Sequence, residues 1–186
     1  IDHPAVKRIN FTGSTRVGKI IAERAARSLK PVLLELGGKA PLVILDDADI
    51  DAAVNAACFG AFMNQGQICM STERIIVDNQ IADDFIAKFA AKAASLPYGD
   101  PSGPVVLGSV VDQKTADHVA ALVADAVKAG ASLKTDGTAN GTILPATVVD
   151  HVTSDMKIYR EESFGPVVCV LRVDGEAEAI AAANDT

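Results

Sequence analysis

A chain of 186 residues with 49% hydrophobic and 22% charged residues has the apolar content to bury a sizeable core, which excludes a disordered segment. Its net charge of −7, with acidic residues spread along the chain, argues against the basic stripe of a nucleic-acid binder. No apolar run approaches the roughly 20 residues needed to cross a bilayer, so no membrane role is expected.

The opening Ile1-Asp2-His3-Pro4 shows neither an initiator Met nor a signal-peptide pattern, and an internal piece of a longer protein is expected. Residues 7–11 read as a short strand closing at Thr12-Gly13. From 14 to 29, apolar Val17, Ile20, Ile21, Ala25 and Leu29 recur at helical spacing, and Pro31 marks the end. Residues 32–36 form a second strand, Gly37 to Pro41 a turn, and 42–45 a third strand. Asp46, Asp47 and Asp49 load carboxylates at the start of an Ala-rich helix over about 49–62, where they suit the positive end of its dipole. A polar loop at Asn64-Gln65-Gly66-Gln67 precedes Cys69 and a strand at 74–77. Further helices are expected over 81–94, 112–128 and from about 176 almost to the end, with strand-like pieces at 131–133, 146–149 and 167–173. Strands that alternate with helices, several of them continuously apolar, indicate an α/β sheet covered on both faces. Aromatic residues are 4% with no Trp, so the core is expected to be built from Ala, Val, Ile and Leu.

Three cysteines, at 58, 69 and 169, match no metal-ligand spacing, so no metal is expected and a reducing cytoplasmic compartment is the simplest account. Cys58 and Cys169 sit among apolar neighbours and read as small buried hydrophobes, whereas Cys69 lies in a polar loop and is the candidate reactive thiol. Glu35 stands alone in the apolar run Val32-Leu33-Leu34-Glu35-Leu36. It is either a buried carboxylate of raised pKa suited to general-base work, or an outward-facing residue of a half-exposed strand. Gly13 and Ser14, at a strand–helix junction, form either a phosphate cradle or a plain helix cap. Glu162 precedes an aromatic turn at Phe164 and could accept from ribose hydroxyls, or simply be solvated. His3, His118 and His151 are scattered and read as surface or loop residues.

Together these segments resemble the aldehyde dehydrogenase superfamily: F-T-G-S at 11–14 with Gly18 following, L-E-L-G-G-K at 34–39, G-Q-x-C at 66–69 and E-E-x-F-G-P at 161–166. Glu35 and Cys69 stand 69 − 35 = 34 positions apart, the separation expected of the family's base and nucleophile. The resemblance implies roles. Cys69 would be the nucleophile and Glu35 the general base. Gly13 and Ser14 would contact the cofactor pyrophosphate, Leu36 and Gly37 would line the nicotinamide, Glu162 would hold its ribose, and Phe164 would neighbour its ring. It further implies an α/β, aldehyde dehydrogenase-like fold: residues 1–36 as the end of a Rossmann-like cofactor domain, 37–186 as most of an α/β catalytic domain. The implied cofactor is NAD, with NADP possible, and the implied substrate is a small aldehyde. The longer parent, a homodimer or homotetramer, would supply the remaining cofactor-domain strands and the oxyanion-hole asparagine. The run from Phe62 to Thr72 is similar to the branch acting on aromatic aldehydes such as benzaldehyde, vanillin or salicylaldehyde. One position departs from the pattern: His118 stands where many relatives carry the lysine of Q-F-x-K, so that ribose contact is not carried over. A CoA-acylating relative, which usually lacks the base, and a non-catalytic relative kept for binding are the alternative implications.

Overall fold

Ile9–Gly13 (β1) and Val32–Leu36 (β2) form a parallel pair, joined by the helix Thr15–Ala26 (α1). The computed structural model describes all 186 residues, and this β–α–β element is the first of its two units, Ile1–Gly38. α1 stops three residues earlier than its apolar period suggests. Leu29 adopts φ 52°, the Lys30 N–H reaches back to Ala25 O (3.1 Å), and the Leu29 N–H to Ala26 O (3.0 Å). These two bonds close the helix as a Schellman motif, here with leucine in the left-handed position usually given to glycine. Gly18 faces β2: a Cβ there would lie 2.7 Å from Leu36 Cδ2, so the missing side chain is what lets helix and strand approach.

The second unit, Lys39–Thr186, is built on five strands in the order β3-β4-β7-β6-β5. These are Pro41–Ile44 (β3), Arg74–Asp78 (β4), Ser132–Leu133 (β5), Thr147–Asp150 (β6) and Val167–Val173 (β7). All neighbours are parallel except the short edge strand β5, which runs antiparallel to β6. The helices are Ile50–Phe62 (α2), Asn79–Ala94 (α3), Gln113–Lys128 (α4), the single turn Lys157–Arg160 (α5) and Gly175–Asn184 (α6). Asp49, Asp78 and Asp112 cap α2, α3 and α4 through Ala52 N (3.0 Å), Gln80 N (2.8 Å) and Thr115 N (2.8 Å). Each such cap is worth about 1 kcal/mol. Of these elements, only α5 carries no sequence signal, being too short for a period to show.

The sheet is buried on both faces, as its apolar strands require. On one side Ile75, Val77, Val148, Val168 and Val170 pack with α2 and α3; on the other Ile76, Val149, Cys169 and Leu171 pack with α4, α5 and α6. Aliphatic residues fill most of both layers. Three phenylalanines nevertheless form a stack in the first, Phe62 on Phe89 at 6.0 Å and Phe89 on Phe85 at 5.5 Å between centroids.

Candidate active site

The loop after α2 reverses sharply. A 3-10 turn at Met63–Gly66 carries φ values of 50° at Asn64, 56° at Gln65 and 69° at Gly66. Left-handed backbone costs a non-glycine residue about 1–2 kcal/mol, and hydrogen bonds hold it here. Gln67 N–H donates to Asn64 O (3.0 Å), Asn64 Nδ2 to Gln67 O (3.3 Å), and Val111 N–H to Gln67 Oε1 (2.8 Å). Ser71 N–H returns to Ile68 O (2.9 Å) and Thr72 N–H to Gly60 O (2.9 Å). Cys69 stands between these staples with its side chain exposed. Its own backbone N–H donates to no group of the chain, and the Ser71 hydroxyl two residues on is buried without a partner. The other two thiols are withdrawn from chemistry. Burial pushes Cys169 up to about 11, and burial likewise raises Cys58. Because the thiolate is the nucleophile, Cys69 is the one thiol here that is open to a substrate.

The Glu162–Phe164 turn lies directly against this loop. A Cβ on Gly66 would sit 2.2 Å from the Gly165 carbonyl oxygen, so only glycine permits the contact. Phe164 is itself left-handed, φ 48°, and the residue is 39% exposed, which leaves apolar surface free to meet a ligand. Beneath the turn, Glu73 is buried and accepts from Ser163 N (3.1 Å), Phe164 N (3.1 Å), Ser163 Oγ (2.5 Å) and Lys39 Nζ (2.5 Å). Arg74, fully buried beside it, donates to Lys39 O (3.0 Å) and to the carbonyls of Ala182, Ala183 and Asp185 at the end of α6. His118, which the sequence suggests is a surface or loop residue, is instead half-buried on α4 with Nε2 3.0 Å from Glu162 O. It lines an open recess of about 310 Å³ together with Asp112, Lys114, Thr115, Glu162, Ser163 and Phe164. Neither Glu73 nor Lys39 stands out in the sequence as part of this arrangement. The only signal is a pair of charges flanking apolar strands, where burial demands a partner.

In the first unit, the β1–β2 register sets Gly13 beside Leu36 and Thr12 beside Glu35. Glu35 is exposed, as strand alternation with half-buried Leu34 and Leu36 permits, so it is an outward carboxylate and not a buried one. Ser14 caps α1: its Oγ accepts from Val17 N at 3.4 Å. An accepting hydroxyl keeps its proton, so the cap and donation to a phosphate oxygen are compatible. The first-turn amides of a twelve-residue helix point out beside it. In the first unit the helix start therefore offers amide and hydroxyl donors to an anion; in the second, Glu162 and the exposed Phe164 offer an acceptor and an apolar surface beside an open recess. No group of three or more His, Cys, Asp or Glu is placed to hold a metal ion, and no helix is long and apolar enough to cross a membrane.

The family model described as the aldehyde dehydrogenase family matches residues 1–186. A vanillin dehydrogenase of Pseudomonas fluorescens is 58% identical over 187 residues, covering 100% of this chain and 39% of that protein. The crystal structure of a salicylaldehyde dehydrogenase from Pseudomonas putida G7, complexed with salicylaldehyde, superposes with a TM-score of 0.97 at 55% identity, over 100% of this chain and 39% of the other. An NAD-dependent benzaldehyde dehydrogenase from Corynebacterium glutamicum gives 0.92 at 46% identity, over 98% and 40%. The chain thus spans about two fifths of the length of the relatives it matches.

Proposed function

Because this chain belongs to the aldehyde dehydrogenase family, we propose that the protein it represents oxidises an aromatic aldehyde to the carboxylic acid, with NAD or NADP as hydride acceptor. The observation that carries the reading is an exposed Cys69, stapled in a left-handed loop, in a chain 58% identical to a vanillin dehydrogenase. In this reading residues 1–36 close the cofactor domain and 37–186 form most of the catalytic domain of a cytoplasmic homodimer or homotetramer.

The Cys69 thiolate attacks the aldehyde carbon, and the electron pair of the C=O bond moves to oxygen. The free Cys69 backbone N–H donates to that oxyanion. Bound nicotinamide supplies one thing, an acceptor for the hydride that leaves the thiohemiacetal carbon as it becomes a thioester. Glu35 then takes a proton from water, the hydroxide adds to the thioester carbonyl, and the acid departs with the Cys69 thiolate restored. Gly13 and Ser14 would hold the pyrophosphate. Leu36 and Gly37 would border the nicotinamide, Glu162 would accept from its ribose and Phe164 would neighbour its ring. The exposure of Glu35 suits a base that must meet water. The reading is tested by assaying the full-length protein with benzaldehyde, vanillin, salicylaldehyde and an aliphatic aldehyde, each with NAD and with NADP. Aromatic aldehydes should show the highest kcat/KM without added CoA. An absolute need for CoA, or preference for the aliphatic aldehyde, would refute it.

A further inference from the structure

We infer that Glu73 is a positioning residue for the dinucleotide: its buried carboxylate sets the backbone of the Glu162–Phe164 turn and thereby the geometry with which Glu162 and Phe164 meet the cofactor. The inference rests on the cofactor reading of those two residues and adds to it a residue four positions beyond the nucleophile.

Three observations carry it. First, Glu73 is only 5% exposed, and its two carboxylate oxygens receive four donors: the amides of Ser163 and Phe164, the Ser163 hydroxyl and the Lys39 ammonium. Two successive amides converging on one carboxylate form a small anion nest, an arrangement that fixes the φ and ψ angles of the residues between them. Second, Phe164 holds a left-handed backbone, φ 48°, which an aromatic residue keeps only where its surroundings over-determine it. Glu73 supplies that constraint at the Ser163 and Phe164 amides, while His118 Nε2 meets Glu162 O at the start of the turn. Third, Glu73 is tied to the other segments of the site by backbone. Its N–H donates to Ala40 O (3.0 Å), directly after the L-E-L-G-G-K run, and Thr72, its neighbour, donates to Gly60 O. A change at Glu73 is thus transmitted to the ribose-binding turn through hydrogen bonds, with no contact of its own to substrate or cofactor.

The test is Glu73→Gln in the full-length protein. Glutamine keeps the size but offers one acceptor oxygen, and turns an amide N–H₂ toward donors. Amide hydrogen exchange at Ser163 and Phe164 should accelerate at least tenfold, while the amides of β4 and β7 stay within twofold. Dinucleotide Kd by calorimetry should rise about tenfold, and alkylation of Cys69 by iodoacetamide without cofactor should stay within twofold. If the buried Lys39 ammonium, left without its partner, prevents folding, the double variant Lys39→Met/Glu73→Gln removes both charges and carries the same measurements. Unchanged exchange at Ser163 and Phe164 in a folded variant overturns the inference, as does a lowered Tm with exchange and affinity both intact, the mark of a merely structural carboxylate. Faster exchange with unchanged dinucleotide affinity keeps Glu73 as the holder of the turn and removes Glu162 and Phe164 from the cofactor site.

Discussion

The two units hold their candidate site residues by different means. In Ile1–Gly38 a pair of strands carries one helix, and Gly18 and Ala25 are its only buried residues. Ser14 and Glu35 are placed by backbone alone, one at a helix start and one at a strand end, with side chains open to solvent. In Lys39–Thr186 the sheet is covered on both faces, and the site is braced from underneath by the buried charges of Lys39, Glu73 and Arg74. A backbone-placed group should therefore be replaceable with loss of chemistry and little loss of stability. A network-placed group should not.

Cys69 is the case where the second unit should nonetheless behave like the first, because the thiol itself is exposed and its loop is held by neighbours. Cys69→Ser should cost about 10⁴-fold or more in kcat, as loss of a nucleophile does, with dinucleotide affinity and Tm unchanged. Normal turnover would remove Cys69 from the chemistry. Glu35→Gln should cost about 10²- to 10⁴-fold, the range for a general base, again at constant Tm. Its distinguishing sign is accumulation of the acyl-enzyme, visible as an added acyl mass on the intact protein. Unchanged turnover in that variant would show that water is activated by another group.

Much of this architecture is legible in the sequence because its elements are long and periodic. The Ala-rich α2, the capped α4 and the apolar β7 lie within a residue or two of where pattern places them. The site is legible as positions and not as geometry. Cys69 is distinguishable from Cys58 and Cys169 by its polar neighbours, but nothing in Asn64-Gln65-Gly66 announces three successive left-handed residues. Glu35 reads equally as buried or exposed, since alternation in an apolar strand allows both, and the structure resolves it as exposed. The Glu73 cluster is hidden for another reason: Lys39, Glu73 and Ser163 are brought together only by the folded chain, and pairing across 34 and 90 residues leaves no local trace.

A second buried pair sharpens the contrast in energetic terms. Asp150, at the end of β6, is fully buried; burial alone would raise its pKa, but the Arg172 guanidinium at 3.0 Å and the His151 amide hold it below the ordinary carboxylate value. Arg172→Met leaves that carboxylate without its best partner and should destabilise the protein by about 3 kcal/mol near neutrality, a value typical of breaking a buried pair. Because the folded pKa is depressed, the stabilisation is present above the unfolded carboxylate value and is lost as pH falls. Urea denaturation should thus show the gap between wild type and variant shrinking below about pH 4. A gap that widens on acidification would mean that the pair is not what holds Asp150 ionised.

Ser14 should give the smallest stability effect and the cleanest separation of roles. Its hydroxyl accepts from Val17 N, so Ser14→Ala removes an N-cap and should cost about 1 kcal/mol. If the same hydroxyl donates to the cofactor pyrophosphate, dinucleotide Kd rises as well, yet alanine alone confounds a frayed helix with a lost contact. Ser14→Asp separates them: aspartate is as good a cap and suits the helix dipole, but it sets a negative charge where a phosphate would sit. Stability should therefore hold or rise slightly while dinucleotide affinity falls about tenfold or more, the size of a lost hydrogen bond to a charged group. An affinity that follows stability through both variants would leave Ser14 as a helix cap and nothing else.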